Sequence, residues 1–189
     1  MIRRLSIFGI CLGVSLGAGI TGRAAERPSP AAPQQSAPAS AEVRQLPKAN
    51  VLPLALDDRF EFRKKQLFLH DPDIVPDTTD KMIEFERDRL EYGAVTREER
   101  RRRYGHYFTF WWRTRQAANL KVRLEYRQSN LGNYVLAKEV DVSARPGTHK
   151  THFEVIGDEY HEDGRVLAWR AVLIEGDRIV ALTQSFLWH

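Results

Sequence analysis

The sequence predicts a mainly β fold: an antiparallel β-sandwich carrying a short two-helix insertion. Three observations predict it. From His106 onward apolar and polar residues alternate with period two. The alternating stretches are joined by short turns such as Ala144-Arg145-Pro146-Gly147 and Glu175-Gly176-Asp177. No helical stretch is long enough to cover a parallel sheet by repeated crossovers.

The first strand falls within residues 59–69, where Phe60 and Phe62 follow the alternating Leu52, Leu54 and Leu56. The His70-Asp71-Pro72-Asp73 turn ends it, because proline drives its predecessor out of the α region. Thr78 or Thr79 caps a helix running to about Tyr92, with Met82, Ile83, Phe85 and Leu90 as a modest apolar face and Gly93 as its stop. Thr96 caps a second short helix, Glu99 completes a capping box with it, and Gly105 closes the turn that follows.

Beyond His106, Phe108, Phe110 and Trp112 share one face of a strand, opposite Tyr107, Thr109, Trp111 and Arg113. Leu120, Val122, Leu124 and Tyr126 then point inward, leaving Lys121, Arg123, Glu125 and Arg127 on a solvated face. Tyr134, Leu136, Val140 and Val142 form the next apolar face, with Lys138 at a strand end or bulge. Thr151, Phe153 and Val155 alternate with His152 and Glu154, and Glu162-Asp163-Gly164-Arg165 reads as a hairpin turn. Residues 166–174 are apolar except for Arg170, the mark of a strand that is central or covered on both faces, with Leu167, Trp169, Ala171 and Leu173 together on one of them. Residues 179–188 complete the sheet, with Val180, Leu182, Phe186 and Trp188 on one face. The total is six strands after residue 105 and at least one before it, so by strand count alone the sandwich looks immunoglobulin- or fibronectin-like. Trp111, Trp112, Trp169 and Trp188 should decide the packing, since burying one such side chain contributes about 3 kcal/mol.

Ahead of this region, Arg3 and Arg4 precede an apolar and small-residue run from Leu5 to Ile20, and Gly22 and Ala24 sit at −3 and −1 of a cut before Ala25. Residues 1–25 therefore read as a signal peptide or signal anchor. The run also carries Gly9, Gly13 and Gly17 at spacing four. Residues 26–50 read as a disordered Pro/Ala/Ser-rich linker containing Pro28, Pro30, Pro33, Pro38 and Pro47. Residues 51–105 supply the first strand and the helical insertion, and residues 106–189 the sandwich core, the two forming one domain.

The chain has 189 residues, 29 basic and 25 acidic. Without Arg3, Arg4 and Arg23 of the leader, the net charge of +4 falls almost to neutrality, which disfavours nucleic acid as a partner. The single cysteine, Cys11, lies in the leader, so a processed chain has no disulfide and no cysteine nucleophile. Ser129, Ser143 and Ser185 lack a Gly-x-Ser-x-Gly elbow and a neighbouring histidine, and no glycine-rich phosphate loop occurs. His149 and His152 fall on opposite faces of a strand, whereas His152 and His161 can approach across a hairpin near Glu154, Asp158 and Glu159. Asp71, Asp73, Asp77 and Asp80 lack the glycine-permitted turn of a calcium loop and read as capping and loop residues. No metal or cofactor is expected. Arg97, Arg100, Arg101, Arg102 and Arg103 form a basic run on the second helix and are the candidate patch for an anionic partner.

Export, a spacer and the want of a catalytic pattern point to a non-catalytic interaction or structural module of the bacterial cell envelope. The expected localisation is periplasmic or extracytoplasmic, soluble or held by an N-terminal anchor, and the expected partners are an envelope protein or an anionic membrane surface. Two other classes compete with it. A carrier of a small apolar ligand needs an aromatic-lined cavity of roughly 300 Å³ or more between the sheets. A secreted hydrolase needs perturbed carboxylates or histidines converging in a cleft.

Overall fold

Every alternating stretch after residue 105 becomes a strand. The computed structural model describes residues 42–46, 50–74 and 80–188. The leader, most of the linker, and Thr78 and Thr79 lie outside the described residues. In chain order the strands are β1 (Arg44–Leu46), β2 (Phe60–His70), β3 (Gly105–Thr114), β4 (Ala118–Gln128), β5 (Leu136–Ala144), β6 (Gly147–Ile156), β7 (Val166–Glu175) and β8 (Arg178–Gln184). The helices are α1 (Lys81–Glu91), α2 (Arg97–Arg101) and α3 (Asp158–Asp163). A three-stranded sheet runs β2-β3-β6 and a five-stranded sheet runs β1-β5-β4-β7-β8. All six pairings between these strands are antiparallel. The segment before β2 lies parallel to β8, the Ala55 and Asp57 N–H groups donating to Ile179 O (2.9 Å) and Val180 O (3.0 Å).

The inner faces meet as their periodicity dictates. Phe108, Phe110 and Trp112 of β3 and Phe153 and Val155 of β6 pack with Leu120, Val122, Leu124 and Tyr126 of β4 and Trp169, Ala171 and Leu173 of β7, all buried. As expected, β7 is covered on both sides: Val172 and Ile174 join Ile179, Leu52 and Leu182 in a second cluster on the far face.

Gly105 opens β3 with φ +146°, and a Cβ there would stand 2.2 Å from Val155 O of β6. Only glycine lets the two backbones close at this point. The α2 capping box is formed as predicted, Thr96 Oγ1 accepting the Glu99 N–H while Glu99 receives the Thr96 N–H. Asp80 caps α1, accepting the Met82 N–H at 2.9 Å.

Several expectations are corrected. The outer face of β4 is not solvated at its centre, because Arg123 and Glu125 are buried. Residues 162–165 make no hairpin: they end α3, which carries the chain from β6 in one sheet to β7 in the other. Val180 and Leu182 do not share a face, because a register shift at Leu173/Ile174 puts Val180 in the main core and Leu182 on the far side. Strand β8 stops at Gln184, and Phe186 is exposed while Trp188 is buried. Strand β1 falls within the stretch whose composition reads as linker, paired with Ala137, Lys138 and Glu139 of β5.

Candidate functional site

The basic run lies on and just after α2, and its arginines have different duties. Arg103 donates to the carbonyls of Leu90 (2.8 Å) and Tyr92 (2.6 Å), so it ties the end of α1 to the start of β3. Its own carbonyl accepts the Tyr107 hydroxyl at 2.7 Å. Arg102 Nε lies 3.4 Å from Glu98 and Arg100 Nε 4.0 Å from Glu91. The Arg101 carbonyl is 3.0 Å from His161 Nε2. Arg97, Arg100, Arg101 and Arg102 remain side chains that can face a partner, whereas Arg103 is built into the fold.

Behind this run, the three helices close one end of the sandwich over a polar and aromatic cluster. Asp71 accepts the Tyr160 hydroxyl at 2.6 Å and the Asp73 N–H at 2.9 Å, with Arg165 Nη2 at 3.5 Å. Burial pushes the Asp71 carboxyl up, but these hydrogen bonds and Arg165 outweigh it and hold the group below its ordinary value. Burial, helped by the bond to Asp71, pushes the Tyr160 phenol up to about 12. His106 stacks on Phe108 and meets Tyr160 edge-on, and its Nε2 accepts the Val166 N–H at 3.2 Å. Burial lowers its pKa to about 4, with Arg165 adding to the effect. His70 is 3.3 Å from Glu91 Oε1 and edge-on to Tyr104; neither ring nitrogen has an aligned hydrogen-bond partner, and burial lowers its pKa. Asp71 is committed to its donors, so the cluster braces the sandwich end rather than presenting a free base.

The second concentration of polar groups sits where β5 of one sheet faces β6 of the other. A groove of about 420 Å³ is lined by Val43, Gln45, Lys138, His152 and Glu154. Lys138 shares the inward face of β5, and its Nζ reaches Glu159 Oε2 of α3 at 2.6 Å and the Glu154 carbonyl at 2.5 Å. The Tyr126 hydroxyl donates to Glu159 Oε1 and accepts from Gln45 Nε2 at 3.3 Å. Burial and Glu159 together drive the Tyr126 phenol far above its ordinary range. His152 spans Thr109 Oγ1 (2.9 Å, through Nδ1) and Glu154 Oε1 (3.1 Å, through Nε2), and the bond from His152 holds the Glu154 carboxyl below its usual value. The polar groups here are matched by one another, and no aromatic side chain lines the groove.

His152 and His161 do not meet, because α3 replaces the expected hairpin and carries His161 to Arg101. Among the described residues no group of three or more His, Asp or Glu side chains converges as a metal site. Of the acidic loop, Asp71 and Asp80 serve as hydrogen-bond acceptors for the fold, and Asp77 lies outside the described residues.

The third arrangement escaped sequence reasoning. On the outer face of the five-stranded sheet, Arg123 Nη2 lies 2.7 Å from Glu139, which also receives Arg44 and Lys121 at 3.5 Å each. Arg170 lies 2.5 Å from Glu125, and Arg123 Nη1 donates to the Asn50 carbonyl at 3.3 Å. Arg127 and Arg170 stand 4.9 and 5.2 Å from the Trp188 ring centre, which helps cover the charges. The alternating Lys121-Arg123-Glu125-Arg127 pattern was the visible signal, since opposite charges spaced by two can pair across strands as well as face water.

The chain matches no family model, no curated protein and no solved structure.

Proposed function

We propose that the chain is a non-catalytic interaction or structural module of the bacterial cell envelope, exported and either released or held by its N-terminal segment. The immunoglobulin- or fibronectin-like reading rests on strand count. One observation carries the functional reading: aromatic side chains fill the space between the sheets, and Asp71 and Glu159 are engaged by Tyr160 and Lys138. Contacts with a partner then fall on the exterior. The leader and the proline-rich spacer supply the address. A carrier of an apolar ligand is less favoured because the groove beside Lys138 has no aromatic lining and aromatic side chains fill the space between the sheets. Among the described residues no helix is long and apolar enough to cross a membrane, so any anchor would be the N-terminal run.

Within this reading the arginines of α2 are offered to an anionic partner. The test is fractionation with intact-mass analysis, followed by binding of the chain to the native envelope fraction at low and moderate salt. Export predicts an envelope or extracytoplasmic chain, shortened by about 24 residues if the leader is cleaved; a full-length chain confined to the cytosol overturns the reading. Replacing Arg97, Arg100, Arg101 and Arg102 by Gln, with Arg103 kept for its carbonyl bonds, should weaken binding at low salt if α2 docks the partner.

A further inference from the structure

The outer face of the three-stranded sheet carries a second cationic surface, with Lys64, Arg113 and Lys150 exposed. The register sets Lys64 beside Trp111 and Trp111 beside Lys150, so the three side chains form a row across all three strands. Lys64 Nζ stands 4.9 Å and Lys150 Nζ 5.5 Å from the Trp111 ring centre. The next row sets Arg113 between Glu61 and Thr148, and the carboxylate of Glu61 is engaged by Arg63 at 3.0 Å. Among the described residues no carboxylate lies within ion-pair distance of Lys64, Arg113 or Lys150. Toward the other end of the same face, Glu86, Arg89 and Leu90 of α1 lie over Phe68, Tyr107 and Thr109. The helix leaves uncovered the half that bears the cations and the indole, along with Gln66, His152 and Glu154 at its margin.

We propose that this half-face binds anionic phospholipid headgroups at a bilayer surface, with Trp111 at the polar–apolar boundary and Lys64, Arg113 and Lys150 against the phosphates. The inference deepens the envelope reading and rests on it. Three cations without a carboxylate partner favour an anionic surface, and a sheet face meets a planar array of charges more evenly than a single small anion. An indole set among lysine stems suits the headgroup layer, where an apolar body and charged tips are both accommodated. Each Lys or Arg near an anionic membrane is worth about fivefold in binding, so the three together give about 100-fold.

The test uses the full chain with vesicles of phosphatidylcholine alone or mixed with phosphatidylglycerol, whose acyl chains carry bromine to quench tryptophan. The anionic vesicles should quench emission at low salt, and quenching should fall as salt rises. Trp111→Phe should lose most of that change, which identifies the indole at the interface. Lys64→Gln, Arg113→Gln and Lys150→Gln combined should weaken the salt-sensitive binding about 100-fold, with the near-ultraviolet circular dichroism of the wild type retained. The leader, with Arg3, Arg4 and Arg23, and the arginines of α2 also favour anionic vesicles, but equally in wild type and variant, so the comparison between the two chains isolates this face. Equal quenching on neutral and anionic vesicles, or no effect of the triple change, overturns the proposal, as does binding to dextran sulfate without binding to vesicles. If the triple variant misfolds, the single changes Lys64→Gln and Lys150→Gln, both at exposed positions, should each weaken binding about fivefold, and no effect of either overturns the proposal. Export without vesicle binding rejects this inference alone, whereas a cytosolic chain rejects the envelope reading and leaves the vesicle result standing.

Discussion

Acid should unfold this protein partly through one imidazole. His106 Nε2 accepts the Val166 N–H, so the proton of the neutral ring resides on Nδ1. Protonating Nε2 turns that acceptor into a donor facing a donor, beside the positive Arg165 and away from water. Its pKa is lowered from 6.5 to about 4. A histidine with a lowered folded-state pKa binds fewer protons folded than unfolded, so stability is intact above pH 6.5 and is lost as pH falls toward 4. At 1.36 kcal/mol per pKa unit the loss from this group approaches about 3 kcal/mol at the bottom of the window. The perturbation is His106→Gln, which keeps an acceptor for the Val166 N–H and cannot ionise. Urea unfolding at pH 7.5 and at pH 4 gives the stability change of each chain. His70, also lowered, contributes to both chains and cancels. The wild type should lose about 3 kcal/mol more than the variant across this range. Equal losses would refute the argument.

Three further outcomes are expected. Gly105→Ala should cost at least about 3 kcal/mol by thermal or urea unfolding, because the new Cβ meets the Val155 backbone and takes a left-handed φ. Glu139→Ala should cost about 3 kcal/mol by leaving the buried Arg123 with only Glu125 at 3.7 Å and the Asn50 carbonyl, whereas Arg123→Met with Glu139→Leu should cost much less. Removing residues 26–41 should leave the thermal midpoint within a few degrees, as their composition offers little to a core. Extending the deletion through residue 46 should lower stability by about 1–2 kcal/mol, because it removes β1 and the contacts of Arg44 with Glu139 and Asp141.

Much of the fold was legible because a half-buried strand writes its environment into every second residue. Phe108-Phe110-Trp112 and Leu120-Val122-Leu124-Tyr126 each declared the core, and the unbroken apolar run of β7 declared two covers. What one strand cannot declare is its neighbour. Arg123 and Glu125 look solvated until Glu139 and Arg170 are laid beside them. The acidic stretch of α3 is too short to show a helical period, so Asp163-Gly164 read as a hairpin when Gly164 in fact terminates a helix. Of the polar sites, Lys138 was noticed as an anomaly on an apolar face, but its partner Glu159 depends on α3. Trp111 was counted with the core tryptophans, although its parity with Tyr107 and Thr109 already placed it on the opposite face from Trp112.

The bond from Lys138 to the Glu154 carbonyl has a consequence for how the chain behaves in a crowd. Strand β6 ends its sheet. The Gly157 N–H pairs with Tyr104 O at the close of the β3 ladder, which turns the backbone groups of Thr148, Lys150, His152 and Glu154 outward. Such a row is a template on which another molecule can lay a strand. Lys138 occupies one of its carbonyls with an ammonium, and Lys150 adds a second charge on the same strand. Loss of Lys138 therefore endangers solubility as well as the pairing with Glu159: the loss of solubility grows with protein concentration and storage time, beyond what a dilute unfolding curve registers.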